Sequence, residues 1–257
     1  MNLESMFSLE GKNAIVVGGS KGIGKGIALG LANAGASVVL CSRNQAELDA
    51  AAKEIAEIAG VKAIGMAADL SSVDAVNTLV AKAIAEMGHI DILVNSAGVN
   101  VRKGCLEFTE EDWDIVQDVQ VKSVFFTCQA VAQHMIDKGI RGKIINLGSV
   151  NSVIALRGMI SYVAAKGAIA QLTKALAVEL SDYGITANAI APGYTSTEMT
   201  KPVFSDKVKA EQFLAKIPLN RFGEPFDYAG LAVYLASKSG DYITGQLITV
   251  DGGWTSS

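Results

Sequence analysis

Short runs of apolar, often β-branched residues alternate with longer stretches of helical period along almost the whole chain. The short runs predict strands over Asn13–Val17, Ser37–Cys41, Val61–Met66, Asp91–Asn95, Lys143–Leu147, Thr186–Ala191 and Leu247–Val250. Between them the pattern predicts helices over Gly22–Ala34, Gln45–Ile58, Ser72–Met87, Glu110–Lys138 and Met159–Ser181, with two more after Pro192. Strands joined by helices of this length imply right-handed crossovers and a parallel sheet covered on both faces. No linker, composition shift or internal repeat divides the chain, so residues 1–257 read as one domain. The least regular part, about 193–222, is polar and rich in lysine. It follows the sixth strand, where a segment could cover a ligand bound beyond the carboxyl ends of the strands; an ordinary surface hairpin is the other reading.

Composition narrows the setting. A chain that is 50% hydrophobic and 19% charged is not disordered. A formal charge of −4 without a basic stripe removes nucleic acid as a partner. Cys41, Cys105 and Cys128 follow neither a C-x-x-C nor a zinc spacing, so no metal and no disulfide framework are expected. They read as small buried hydrophobes in a reducing cytoplasm. The first residues, MNLESMFSLEGK, lack the basic and then apolar pattern of a secretory signal. The apolar stretch Val163–Val178 holds Lys166 and Lys174, which argues against a membrane span.

The 26 glycines gather where chemistry is expected. The first strand leads into Gly18-Gly19-Ser20-Lys21-Gly22-Ile23-Gly24 and then a helix, a turn that brings a pyrophosphate to free helix N–H groups. A plain strand-to-helix turn is the alternative for the glycines alone. The acid that would bind a ribose 2′-hydroxyl at the end of the second strand is missing; Cys41-Ser42-Arg43-Asn44 stands there. Arg43 offers a planar fork for a phosphate, and Lys21 adds charge nearby, which points to NADP(H) over NAD(H).

The fifth strand ends in Asn146-Leu147-Gly148-Ser149, followed by Tyr162-Val163-Ala164-Ala165-Lys166 on a long helix. A Tyr and a Lys four residues apart share a helix face, and the ammonium favours the phenolate. Tyr162 is then a candidate general acid for ketone reduction and base for the reverse. Ser149 can donate a hydrogen bond to the substrate oxygen, or simply cap a turn.

With these residues in view, the chain resembles the short-chain dehydrogenase/reductases over nearly its whole length. The ordered motifs are Gly18-x3-Gly22-Ile23-Gly24, Asp69-Leu70, Asn95-Ser96-Ala97-Gly98, Ser149, Tyr162-x3-Lys166, Pro192-Gly193 and Val250-Asp251-Gly252-Gly253. The resemblance implies an α/β single-domain Rossmann fold with a doubly wound, seven-stranded parallel sheet. It also implies hydride transfer between nicotinamide and a small carbonyl or alcohol, commonly in a homotetramer with the C-terminal strand near an interface. By the same resemblance Asp69 lies near adenine, Asn95 near the adenosine ribose, Lys166 on the nicotinamide ribose and Thr197 near the carboxamide. Ser20, Ser42, Asn44, Ala97, Gly98, Pro192, Gly193 and Thr195 complete the implied cofactor contacts. Val17 and Ser96 depart from the usual threonine and second asparagine. Gln120 stands where the family's catalytic tetrad usually has an asparagine supporting a water-linked proton relay to the lysine, and its role is open.

For the substrate, Asn100, Arg102, Asn151, Arg157 and Tyr194 flank the reactive residues in sequence. Polar groups there suit a polyhydroxylated or carboxylate substrate, although either arginine could face solvent. The stretches Ser149–Ser152, Ala191–Tyr194 and Thr197–Thr200 resemble the gluconate 5-dehydrogenase and polyol dehydrogenase branch. The expected activity is therefore a sugar or sugar-acid ketoreductase. A 3-oxoacyl-thioester or general carbonyl reductase and a catalytically impaired NADP-binding regulator are the alternatives.

Overall fold

The structure, a computed structural model, describes residues 2–201 and 205–256. Seven parallel strands form one sheet in the order β3-β2-β1-β4-β5-β6-β7. They are β1 (Asn13–Val17), β2 (Ser37–Ser42), β3 (Ala63–Ala67), β4 (Ile92–Asn95), β5 (Lys143–Leu147), β6 (Thr186–Pro192) and β7 (Leu247–Val250). The helices are α1 (Leu3–Phe7), α2 (Gly22–Asn33), α3 (Gln45–Ala59), α4 (Val73–Met87), α5 (Glu110–Gln117), α6 (Ser123–Asp137), α7 (Ile160–Glu179), α8 (Lys207–Leu214) and α9 (Ala229–Ala236).

The uniformly apolar strands serve two cores at once, because successive side chains leave opposite faces. Ala14 and Val16 of β1 join Ile27, Leu31, Leu48, Ile55 and Leu235 beneath α2, α3 and α9. Their neighbours Ile15 and Val17 join Val80, Ala83, Val131, Met135 and Ile169 beneath α4, α6 and α7. Val38 and Val39 on β2, and Ile92 and Leu93 on β4, divide in the same way. A third, small cluster of Tyr194, Ile217 and Trp254 lies apart from the sheet.

Two expectations change. The helix predicted over Glu110–Lys138 is broken by a π-helical turn, Asp118–Lys122, in which the Ser123 amide reaches back five residues to the Asp118 carbonyl. Such turns accommodate one extra residue and often mark functional positions; Gln120 is on this one. Cys41 and Cys128 are buried, with burial pushing both thiols up to about 12, but Cys105 is exposed on a short 3-10 turn at Cys105–Glu107. No helix among the described residues is long and apolar enough to cross a membrane, and no three His, Cys, Asp or Glu among them cluster as metal ligands would.

The strand order reverses direction between β1 and β4, which opens a crevice at their carboxyl ends. The 193–222 segment leaves β6 on that side, and its residues 202–204 lie outside the described residues. Its two ends are tied together. Thr195 and Gly223 form an isolated parallel bridge, with the Gly223 amide 2.9 Å from the Tyr194 carbonyl and the Ser196 amide 2.9 Å from the Gly223 carbonyl.

Candidate active site

Beyond β1 the chain turns sharply at Gly18, whose φ of +79° and contact with the turn after β4 both require glycine: a Cβ there would lie 2.6 Å from the Ala97 nitrogen. A Cβ on Gly24 would lie 2.1 Å from the Gly18 carbonyl oxygen, so the first turn of α2 folds directly onto this bend. Asn44 and Ser72 cap α3 and α4 with their side chains, but no side chain caps α2. The first N–H groups of α2 thus remain available for an anion, as a phosphate site needs.

A cavity of about 350 Å³ runs from this turn to α7. Gly18, Ser20, Lys21, Gly22, Ile23 and Gly24 line one end, and Asp69, Leu70, Ala97 and Gly98 its flank. Pro192, Gly193, Thr195 and Thr197 line it from β6 and the segment that follows. Ser42 and Arg43 close the end beside β2, where the Ser42 hydroxyl is buried without a hydrogen-bond partner. Arg43 is exposed and makes no ion pair among the described residues, whereas the Lys21 ammonium sits 3.4 Å from the Glu47 carboxylate. An uncapped helix end, an unpartnered buried hydroxyl and an unpaired guanidinium fit a dinucleotide with a 2′-phosphate.

At the other end stand Ser149, Tyr162, Lys166 and Gln120. The Ser149 Oγ accepts the Asn151 amide at 3.1 Å, which leaves its proton free. Burial raises the Tyr162 phenol above its ordinary value, and the nearby Ser149 hydroxyl and Arg102 charge offset this only in part. Lys166 is buried 5.4 Å from the Tyr162 ring centre and donates to the Leu147 carbonyl at 2.7 Å. Burial lowers its ammonium to about 7. Gln117 donates to the Ser161 carbonyl at 3.0 Å, tying α5 to the turn of α7 that carries Tyr162.

The remaining expected residues divide. Arg102 is exposed and Tyr194 buried, and neither lines this cavity, but the Arg102 charge lies near the Tyr194 phenol and partly offsets the upward push of burial on it. Tyr194 is itself held by stacking on Phe213 at 4.3 Å and on Trp254 at 4.7 Å. Asn151 acts on Ser149 through its backbone, its side chain being buried beside Met159. The Asn100 Oδ1 is buried and unpartnered, and Arg157 is exposed. Asn44 caps α3, and Asn95 turns into the sheet to donate to Asn146 at 2.9 Å; neither lines the cavity. Glu198, Met199 and Thr200 do line it; the resemblance of the Thr197–Thr200 stretch marked them without giving them a role. Thr200 accepts the Thr197 amide at 3.0 Å, and Thr195 is hydrogen-bonded to the buried Tyr228 hydroxyl.

Residues 17–255 match the family model described as enoyl-(acyl carrier protein) reductase. The 2-dehydro-3-deoxy-D-gluconate 5-dehydrogenase of Escherichia coli strain K12 is 43% identical over 97% of this chain and 98% of its own length. The chain belongs to the short-chain dehydrogenase/reductase family. Within that family, gluconate 5-dehydrogenase of Gluconobacter oxydans strain 621H is 42% identical over 99% of both chains. Among solved structures, a gluconate 5-dehydrogenase from Burkholderia cenocepacia J2315 in complex with NADP and tartrate superposes with a TM-score of 0.95, at 37% identity, over the full length of both chains.

Proposed function

We propose that this short-chain dehydrogenase/reductase is an NADP(H)-dependent oxidoreductase that interconverts a secondary alcohol and a ketone on a sugar acid of the gluconate class. One observation carries the reading: a single cavity joins the uncapped end of α2 and Arg43 to Ser149, Tyr162 and Lys166. The relatives named for gluconate and its 2-dehydro-3-deoxy derivative support the substrate class, and the neighbour bound to NADP and tartrate supports the cofactor and a hydroxy acid.

NADP(H), when bound, supplies or accepts the hydride. In reduction Tyr162 gives its proton to the carbonyl oxygen as the carbonyl carbon gains the hydride, and in oxidation it takes that proton back. Ser149 holds the oxygen with its free O–H, and the Lys166 ammonium steadies the phenolate left behind. Arg102, whose charge lies near both Tyr162 and Tyr194, pairs with the substrate carboxylate. The same proposal has the enzyme work in the cytoplasm as a homotetramer; exposed Trp113, Ile115 and Phe125 on α5 and α6 supply apolar surface for assembly.

A panel of 5-ketogluconate, related keto sugar acids, neutral ketoses and acetoacetyl thioesters, each with NADPH and NADH, tests the reading. Keto acids should turn over with NADPH and lose at least tenfold in kcat/KM in Arg102→Ala. Turnover of thioesters alone would overturn the substrate class.

A further inference from the structure

Gln120 is buried to 1% exposure on the π-helical turn between α5 and α6. Its Nε2 donates to the Val99 carbonyl at 2.7 Å. Because a carbonyl can only accept, this bond fixes the amide's orientation and turns Oε1 the other way. That oxygen is buried and has no hydrogen-bond partner. It lies over Gly98, where a Cβ would be 3.2 Å from it, and Gln120 and Gly98 both line the cavity with Tyr162 and Lys166. A buried acceptor held in place by its own nitrogen, with only glycine before it, is a half-made hydrogen bond.

We propose that Gln120 is a ligand-binding residue whose Oε1 accepts a hydrogen bond from a hydroxyl of the molecule held in the cavity. A ketone oxygen has no proton to give and a carboxylate would be repelled, whereas a hydroxyl, present on both molecules, can donate. Two sources present one: a ribose of the dinucleotide, or the polyhydroxy chain of the substrate. The inference rests on the proposed function for those two molecules, but the residue's role is separate from transfer of the reacting proton.

The test uses the full-length protein and Gln120→Met, which keeps the side chain's length and removes its polar atoms. NADPH affinity is read by fluorescence titration without substrate, and KM for 5-ketogluconate at saturating NADPH. A hydroxyl on the ribose predicts a three- to tenfold weaker NADPH dissociation constant, roughly the worth of one neutral hydrogen bond. A hydroxyl on the substrate predicts the same factor in KM, NADPH affinity unchanged. In the second case a deoxygenated keto acid should lose affinity for the parent but not for the variant. Circular dichroism and the melting temperature check folding; if loss of the Val99 bond unfolds Gln120→Met, Gln120→Asn, with its shorter reach, is measured the same way. Both affinities within twofold of the parent would overturn the inference, as would a change confined to the pH profile, which would place Gln120 on a proton path instead. A parent that neither binds NADPH nor reduces keto acids defeats the proposed function; an active parent that the variant matches defeats only the role of Gln120.

Discussion

At the amino ends of β1, β4 and β5 charged groups meet partners, whereas at the carboxyl ends several buried polar groups lack them. Asp91 accepts from the Lys12 ammonium and the Asn13 amide, both at 2.9 Å, and lies 3.1 Å from His89. Lys143 holds Asp241 at 2.7 Å, and the buried His134 accepts the Ile90 amide at 3.2 Å. At the opposite end the oxygens of Ser42, Asn95, Asn100 and Gln120 are buried without partners; Thr186, at the start of β6, is the exception to the pattern. Lys166 is buried there with a carbonyl and no carboxylate. One end of the sheet is finished as a protein interior; at the other, Ser42 and Gln120 line the cavity with unpaired oxygens, while Asn95 and Asn100 do not line it. Unpaired polar groups in a low-dielectric site weaken the fold, and those in the cavity can recover hydrogen bonds when a ligand binds.

Substitutions at the two ends should therefore separate activity from stability. Tyr162→Phe should lower kcat by about 10² to 10⁴ while NADPH titration and melting temperature stay near the parent's. Asp91→Ala should do the reverse, costing about 2 to 3 kcal/mol in urea unfolding by stranding Lys12, His89 and the Asn13 amide, with KM unchanged. A Tyr162→Phe variant that unfolds early, or an Asp91→Ala variant with impaired substrate binding, would break the division.

Lys166 gives the next test through pH. Its ammonium, lowered by burial to about 7, is charged below that pH and neutral above it. The rate constant kcat/KM for ketone reduction should be flat below about pH 7 and fall towards tenfold per unit above it, as initial rates across pH 5.5 to 9 would record. The stability consequence has the opposite sign. Between about 7 and the ordinary lysine value of 10.5 the unfolded chain binds more protons than the folded one, so this residue's contribution to folding rises with pH across that window. Lys166→Met should accordingly melt higher than the parent at pH 6 while losing activity.

The smallest effects belong at the phosphate end. Arg43→Ala should weaken NADPH about tenfold more than NADH, and Ser42→Ala should weaken NADPH a few-fold while leaving stability unchanged or slightly raised. Equal losses for both cofactors in Arg43→Ala would remove the 2′-phosphate from that end of the cavity.

Features confined to one element were legible in the sequence. β1 and β5 run over the residues their apolar pattern predicts, and Tyr162 and Lys166 share a helix face because four residues separate them. β3 starts at Ala63 instead of Val61, because Gly60 ends α3 in a left-handed turn and the chain needs two more residues to reach the sheet. The π turn at Asp118–Lys122 was not marked locally, since no glycine or proline interrupts Glu110–Lys138 and the stretch reads as one helix. Contacts made by folding were equally hidden. Nothing near Lys21 in sequence announces Glu47, and nothing near Arg102 announces Tyr194. Asn95 sits in a motif whose resemblance implied a cofactor contact, yet its amide is spent on Asn146 in the neighbouring strand.

The bridge between Thr195 and Gly223 makes the intervening segment an exchangeable cassette. Its ends leave and rejoin the body at one point, so a longer or shorter insert changes the entropy of loop closure only slightly. Thr197 to Thr200, which line the cavity, lie within the excursion, whereas Pro192, Gly193 and Thr195 line it from before the bridge or at it. Rewriting that one stretch of sequence would reshape a wall of the cavity while leaving the sheet, the glycine turn and the Tyr162–Lys166 helix untouched.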